Sequence, residues 1–303
     1  MKVVDRLRRR MRETTAFVLG GGGNLGALQV GMLRALTEHD IVPDVVLGCS
    51  VGAINGAAFS ADPTVRGVRR MEALWRRVPE FDIMPSRRIP PAVNLGRRGG
   101  AIFENDGLRR MLEAGLPVDR FEQLALPFQC VAAEVDTARE RWFTTGPLIE
   151  PVLASAALPT IYPMVTIDGR RYLDGGLVDD IPISRAVALG CRQIFVLHIG
   201  HNEEIPPDPR RPYEVGLIAF WVARRNRLTR DLADLPLDTR CTVLPSGGRP
   251  AIRFDDFSAS DQLIEQAYVA ASEHLNGEDD GRDEDLLVRL LPSLAEKSSK
   301  RRR

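Results

Sequence analysis

Short runs of consecutive apolar residues alternate along the chain with longer segments in which apolar residues recur every three or four positions. Continuous apolar runs are typical of strands buried on both faces, and the longer period is typical of amphipathic helices. The runs predict strands at 15–19, 45–47, 128–135, 141–144 and 193–199. The longer period predicts helices at 25–38, 51–59, 147–157, 181–189, 213–232, 258–275 and 284–291. This alternation predicts an α/β fold with three α/β/α layers and a mainly parallel central sheet.

The same pattern divides the chain into three parts. Residues 1–14 form a basic N-terminal segment, residues 15–275 form the main domain, and residues 276–303 form a C-terminal helix and a basic tail. Within the main domain, residues 79–105 have weak periodicity and begin with a stretch rich in Pro, Arg and Gly. A long irregular loop in a compact domain is often functional, so we interpret this segment as a candidate lid.

Composition narrows the classes of function. The 303 residues carry a formal net charge of zero, with 44% hydrophobic and 27% charged residues, which is typical of an ordinary globular protein and gives no indication of nucleic-acid binding. The basic ends suit either solvated tails or contact with anionic lipid headgroups. Apolar runs are too short for a signal peptide or a membrane span. We therefore expect a cytoplasmic protein that contacts the inner face of the membrane peripherally.

One motif places a serine between a strand and a helix. The sequence Gly48-Cys49-Ser50-Val51-Gly52 follows the apolar run 45–47 and precedes a helix of small residues. In a nucleophile elbow, the two glycines allow the strand and helix to approach closely, and the serine hydroxyl is exposed on a sharp turn. The alternative is that Ser50 is only a helix N-cap, a position that serine favours.

A second motif is the glycine run that ends the first predicted strand. Backbone N–H groups at Gly21, Gly22, Gly23 and Asn24 are candidates for an oxyanion hole, because glycine leaves the amides accessible. The segment also contains G-x-G-x-x-G, which suits a phosphate-binding loop. The nucleotide alternative lacks its acidic partner at the end of a second strand, since Asp44 precedes that strand.

The general base has two kinds of candidate. Asp174, followed by Gly175 and Gly176, could accept the serine proton directly if it is partly desolvated. His198 and His201 follow an apolar strand and could reach the carboxyl edge of the sheet, where they would complete a Ser-His-Asp triad. Asp-Gly is also a common turn pair, so this motif is weak by itself.

Taken together, these motifs resemble the patatin-like phospholipases, a family of serine acyl hydrolases with a Ser–Asp dyad. The resemblance covers most of residues 15–200 and includes, in order, the glycine loop 20–26, the elbow 48–52, the segment 154–159 (ASAALP) and the turn 174–176. It implies that 15–275 is a patatin-like catalytic domain, that Ser50 is the nucleophile and that Asp174 is its base. The glycine-loop amides correspond to the oxyanion hole.

The resemblance also implies a substrate and a mechanism. The expected reaction is hydrolysis of a lipid carboxylic ester, in a phospholipid or lysophospholipid, with no metal and no cofactor. The loop departs from the family at Leu25, where members often carry a basic residue, and we expect Leu25→Arg to be tolerated. A Ser-His-Asp carboxylesterase that uses His198 or His201, and a non-catalytic lipid-binding module, remain alternatives. The helix 213–232 joins apolar and aromatic residues to four arginines, a composition that suits either membrane docking or core packing.

Overall fold

Eight strands form one sheet in the part of the chain that the computed structural model describes, residues 14–83, 101–199, 208–209, 212–248 and 256–277. The strands are β1 (Thr15–Leu19), β2 (Val45–Cys49), β3 (Phe128–Glu134), β4 (Arg139–Phe143), β5 (Val165–Ile167), β6 (Arg170–Asp174), β7 (Gln193–Leu197) and β8 (Arg240–Val243). Their order is β5-β6-β3-β2-β1-β7-β8, with β4 also paired to β3.

The centre of the sheet is parallel and its β3 end is antiparallel. β1 pairs in parallel with β2 and β7, β2 with β3, and β7 with β8. β3 pairs antiparallel with both β4 and β6, and β5 pairs antiparallel with β6. All five residues of β1 and of β2 are buried, as expected for strands covered on both faces. The predicted fold class, three layers around a mainly parallel sheet, is confirmed.

Eight α-helices are described: α1 (Gly26–Glu38), α2 (Val51–Ala61), α3 (Val65–Arg77), α4 (Asp106–Gly115), α5 (Ile149–Ser155), α6 (Ile183–Ala188), α7 (Pro212–Ala233) and α8 (Ser260–Leu275). Alternate residues of β1 serve different layers: Phe17 and Leu19 pack into a core with α1–α5 and α8. Ala16 and Val18 pack into a second core with α6 and the end of α7. The period-2 alternation of the strand therefore separates the two helical layers.

Several elements differ from the expectations. α3 and α4 were not predicted, although each buries one apolar stripe against the core. The sequence of α3, VRGVRRMEALWRR, contains five arginines, and these charges obscure the stripe formed by Val68, Met71 and Trp75. β5, β6 and β8 were also missed, because short partly exposed strands carry little pattern.

Some expectations fall largely outside the described residues. These are the basic N-terminal segment, residues 84–100 of the candidate lid, and the predicted helix 284–291 with the basic tail. At the start of the candidate lid, a 3-10 turn formed by Val78–Phe81 extends α3. Among the described helices, none has both the length and the apolar character needed to cross a membrane.

Candidate active site

The predicted elbow is present between β2 and α2. Ser50 has φ 56° and ψ −125°, a conformation that side-chain-bearing residues rarely adopt. The flanking glycines are required by contact: a Cβ on Gly52 would lie 2.1 Å from the Leu19 carbonyl oxygen, and one on Gly48 would lie 2.5 Å from the Gly52 oxygen. Backbone atoms cannot move aside at these distances, so the strand and helix approach as the motif predicts.

The strained turn is held by hydrogen bonds on both sides of Ser50. Its N–H donates to the Ser155 hydroxyl at 3.0 Å, and its carbonyl accepts from the N–H groups of Ala53 and Ile54 in the first turn of α2. Ser155 is fully buried at the end of α5. A strained backbone persists only where its surroundings fix it, and these contacts fix the direction of the Ser50 side chain.

The Ser50 side chain forms a hydrogen bond with Asp174. The Ser50 hydroxyl donates to Asp174 Oδ2 at 2.7 Å, while the Gly176 N–H donates to Oδ1 at 2.8 Å. Asp174 ends β6 and is fully buried. The two glycines that follow are confined: a Cβ on Gly175 would lie 2.3 Å from the Val131 oxygen, and one on Gly176 would lie 2.6 Å from the Phe220 ring. The turn therefore aims the carboxylate at the serine.

Burial controls the protonation of this carboxyl group. Desolvation raises the pKa of Asp174 from 3.8 to about 7, although the hydrogen bonds from Gly176 and Ser50 favour the carboxylate. A carboxyl group with a pKa near 7 can both accept and return a proton near neutral pH. The neighbouring Cys49 thiol lies 4.0 Å from Asp174 Oδ1, and burial raises its pKa well above the ordinary value, so it stays neutral there.

The glycine loop lies directly beside the serine. A Cβ on Gly21 would come within 3.1 Å of the Ser50 Cβ. Gly23 begins a short 3-10 turn, Gly23–Leu25, and has φ 62°, in the left-handed region that glycine adopts readily. A Cβ on Gly22 would lie 2.2 Å from the Ile199 side chain, so that space is already filled. The Asn24 side chain donates to the Asp256 carbonyl at 2.8 Å, which ties the loop to the segment before α8.

One loop amide is already engaged. The Gly21 N–H donates to Asp180 Oδ1 at 3.2 Å, which argues against the expectation that Gly21 contributes to an oxyanion hole. Hydrogen bonds from two buried amide side chains also fix the glycine loop. Gln29 donates to the Gly20 carbonyl, and Asn55 donates to the Gly26 carbonyl and to the Gln29 oxygen.

A mostly apolar cavity of about 1000 Å³ opens beside Ser50. Its most deeply buried apolar side chains come from α3, the turn after it and α4: Trp75, Val78, Leu108 and Met111. Half-buried side chains of α7, including Trp221, line another part of it. The arrangement can accommodate an apolar chain next to a serine hydroxyl.

Among the described residues, the Ser50 hydroxyl donates to Asp174 and not to a histidine. His198 is buried just after β7, and His201 lies outside the described residues. His39 contacts the Ala35 carbonyl and Asn276 at the end of α1. Within the described ranges, no group of three His, Cys, Asp or Glu side chains could hold a metal ion.

The structure adds residues that the motifs did not identify. Asp180 and Arg224 are buried next to the glycine loop and form an ion pair with N···O 2.7 Å. In the sequence, Asp179 and Asp180 closely follow the Asp-Gly-Gly turn, and this proximity could have identified Asp180 as a residue of the site. Nothing in the sequence connects Arg224 with the site. Two of the four arginines of α7 are therefore engaged within the protein, and membrane docking and core packing, the two uses of this helix left open above, divide among its residues. Arg224 is inside the protein, and Arg227 pairs with Asp179 and Asp231.

Known proteins similar to this chain include a lysophospholipase and a patatin-like phospholipase domain-containing protein. The chain is 28% identical over 225 residues to the lysophospholipase nte1 of Aspergillus terreus, covering 71% of this chain and 14% of that protein. It is 29% identical over 191 residues to the patatin-like phospholipase domain-containing protein 7 of Rattus norvegicus, covering 62% of this chain and 14% of that protein. The chain thus spans about a seventh of the length of these relatives.

Among solved structures, VipD from Legionella pneumophila is similar with a TM-score of 0.45 and 12% identity, covering 88% of this chain and 67% of VipD. The sequence model of the patatin-like phospholipase family matches residues 17–187, which contain the glycine loop, the elbow and the Asp-Gly-Gly turn. Since this match includes more than half of the chain, the chain belongs to the patatin-like phospholipase family.

Proposed function

We propose that this chain is a serine acyl hydrolase that cleaves carboxylic esters of lipids, with Ser50 as the nucleophile and Asp174 as the general base. The observation that carries the proposal is the 2.7 Å hydrogen bond from the Ser50 hydroxyl to the buried Asp174 carboxylate, at the edge of an apolar cavity. A phospholipid or lysophospholipid is the proposed substrate. The family and the lysophospholipase name of the Aspergillus relative support this class.

In the proposed mechanism, Asp174 accepts the hydroxyl proton as Ser50 Oγ attacks the ester carbonyl. The bond to the leaving alcohol breaks, and the protonated Asp174 returns the proton to that alcohol. Water then attacks the acyl-serine, with Asp174 again accepting and returning a proton, and the fatty acid is released. The N–H groups of Gly22, Gly23 and Asn24 are the proposed donors to the oxyanion, each typically worth a few kcal/mol.

The cavity suggests how the lipid is oriented. The deeply buried walls from α3 and α4 are apolar, so we place the acyl chain there. Asp208, Glu214 and the half-buried face of α7 line another side of the cavity, and we place the alcohol part of the ester on this side.

Contact with a lipid surface is a second part of the proposal. Val215 and Val222 of α7 are 55% and 53% exposed, and they share one helical face with the exposed Ala219. On one side this face adjoins Ile218 and then Trp221, which line the cavity. We propose that the face docks on the lipid aggregate that supplies the substrate, with an anionic membrane favoured by Arg225 and by Arg230, which is exposed.

Labelling with a fluorophosphonate probe tests the catalytic assignment, because the probe reacts with activated serines. We expect the label on the peptide that contains Ser50. The Ser50→Ala variant should lose both label and esterase activity, and Asp174→Asn should lose nearly all of both. Ser60→Ala is the matched control, since Ser60 is a buried serine of the same helix, α2, whose hydroxyl has no hydrogen-bond partner among the described residues.

The outcomes separate the three candidate functions. An unlabelled, correctly folded wild-type protein would favour the non-catalytic lipid-binding module. Loss of activity in a folded His198→Ala variant, with activity retained in Asp174→Asn, would favour the Ser-His-Asp carboxylesterase. Retained wild-type turnover in Ser50→Ala would refute the nucleophile assignment itself.

Vesicle co-sedimentation tests the docking face. We expect Val215→Asp combined with Val222→Asp to weaken binding to anionic vesicles, and to reduce hydrolysis of vesicle lipid more than hydrolysis of a soluble ester. Val269→Asp is the control, because Val269 is 44% exposed on α8. Equal binding by the double variant and the control would refute docking through α7.

A further inference from the structure

A buried ion pair holds both polar groups of Gly21. The Gly21 N–H donates to Asp180 Oδ1 at 3.2 Å, and the Gly21 carbonyl accepts from Arg224 Nη2 at 2.9 Å. The same Nη2 lies 2.7 Å from Asp180 Oδ2. Asp180 and Arg224 are both buried, so water does not compete for these contacts. Three residues that are far apart in the sequence therefore form a closed ring of interactions.

The position of this ring connects it to the proposed chemistry. Gly21 is packed against Ser50 so closely that an added Cβ would lie 3.1 Å from the serine Cβ. The next residues of the loop carry the amides proposed to bind the oxyanion. Fixing the N–H and C=O of Gly21 therefore also fixes the direction in which the following amides point.

Stability alone is a weak reason for such a pair. The desolvation cost of a buried ion pair often equals or exceeds its electrostatic gain, and apolar replacements of similar size are frequently neutral. A buried pair that bonds a particular backbone segment can instead select one conformation of that segment. Oxyanion donors need this kind of fixed orientation, because misaligned donors lose most of their effect in the transition state.

We propose that Asp180 and Arg224 are positioning residues that hold the glycine loop in its orientation over Ser50. This role rests on the proposed function, since it is defined by the reaction at Ser50. α7 thereby takes part in the active site from the far side of the loop, through a contact 203 residues apart in sequence.

The pair also affects the dyad through its charges. The groups that face Asp174 are Arg224 from α7, Asp180 from the segment after β6 and the neutral Cys49 thiol of β2. The Arg224 charge lowers the pKa of Asp174, and the Asp180 charge raises it. Removal of one partner should therefore shift the acid limb of the pH–kcat profile in a direction that depends on which partner is removed.

The test compares four variants on a soluble p-nitrophenyl ester over a range of pH: Asp180→Asn, Arg224→Gln, Arg224→Lys and Arg227→Gln. We expect the first two to lower kcat by about ten- to a hundredfold, at or below the roughly hundred- to thousandfold effect of losing one oxyanion donor, with little change in KM. The acid limb should move to lower pH in Asp180→Asn and to higher pH in Arg224→Gln. Arg224→Lys keeps the charge but not the forked geometry, so it should keep the wild-type limb and recover part of kcat.

Arg227→Gln is the matched control. Arg227 lies on the same helix and pairs with Asp179, the neighbour of Asp180, but its described contacts are with Val178, Ser184 and carboxylates, not with the glycine loop. We expect this variant to lose stability while its kcat and acid limb stay at the wild-type values. If Arg224→Gln does not fold, the kcat and acid limb of Asp180→Asn and Arg224→Lys are compared with those of Arg227→Gln instead.

The positioning role would be overturned if Asp180→Asn and Arg224→Gln kept the wild-type kcat, or if their kcat fell no more than that of Arg227→Gln. It would also be overturned if both variants moved the acid limb to lower pH. These results require an active wild-type chain labelled at Ser50. A wild-type chain that is neither active nor labelled would overturn the proposed function, and the positioning role with it.

Discussion

Replacing Asp174 by Asn should stabilise the protein at neutral and alkaline pH while it removes activity. The folded protein holds the Asp174 pKa at about 7, against an ordinary value of 3.8, because burial disfavours the carboxylate. Between these two pH values the folded state binds more protons than the unfolded state. The free energy of unfolding therefore falls as pH rises from about 4 to 7.

The size of this effect follows from the two pKa values. At about 1.4 kcal/mol for each pH unit between them, the ionised Asp174 costs the folded state about 4 kcal/mol above pH 7. This figure is of the order of the total stability of many domains, which is about 5–15 kcal/mol. Asn has nearly the same shape, its oxygen can still accept from the Gly176 N–H, and it does not ionise.

Urea unfolding of both proteins across the pH range checks this reasoning. We expect the stability difference, Asn variant minus wild type, to grow by about 3 kcal/mol between pH 5 and pH 9, since the unfolded carboxyl group is already ionised at pH 5. The raised pKa of Asp179 affects both proteins equally and cancels in the difference. A difference that is independent of pH would show that Asp174 is not held at a raised pKa, and a wild type that is the more stable at pH 9 would contradict the predicted stabilisation.

Further predictions concern the serine and its loop. In wild type, kcat/KM should fall about tenfold per unit below pH 7, because only ionised Asp174 accepts a proton; a flat pH–rate profile down to pH 5 would contradict this. Gly22→Ala should cut kcat by about a hundredfold, as steady-state kinetics can measure. In Gly23→Ala the added Cβ meets nothing within 4 Å, so urea unfolding should show mainly a loss of about 1 kcal/mol of stability from the positive φ. Ser50→Gly and Ser50→Ala should both be inactive, but thermal or urea unfolding should show Ser50→Gly more stable by about 1 kcal/mol, because glycine relieves the strained turn. Leu25→Arg should lose about 3 kcal/mol or more, because Leu25 is buried in the core; this reverses the expectation of tolerance, and unchanged unfolding would refute it.

The sequence predicted those parts of the site that depend on local backbone constraints. Gly48 and Gly52 are identifiable because a close strand–helix approach excludes any Cβ, and the structure shows backbone atoms 2.5 and 2.1 Å from those positions. Likewise the central strands are identifiable because burial on both faces demands continuous apolar residues. The Asp-Gly-Gly motif was weak by itself, and its interpretation came from the resemblance in motif order.

The contacts that the sequence could not predict are made between distant side chains. An arginine within a helix has the same local pattern whether it meets solvent or a buried carboxylate, so Arg224 and Arg225 cannot be distinguished before the helix is docked. Ser155 is similar: its role depends on the position of α5 beside the elbow, where its hydroxyl accepts the Ser50 N–H. For such residues the partner is determined by the tertiary fold and not by the spacing of motifs.

The site combines features that are each unfavourable in isolation: a strained serine, a buried carboxyl group and a buried ion pair. They persist because the surrounding sheet and helices restrain them at several points at once, as at Ser50, which is held through its N–H, its carbonyl and its hydroxyl. At Ser50 and Asp174, the residue that the proposed chemistry needs lowers the stability of the fold. At Gly48 and Gly52, glycine is needed for the proposed chemistry and for stability alike. Substitutions that raise stability and abolish turnover should therefore be found at the dyad, while substitutions at the two elbow glycines should lower both together.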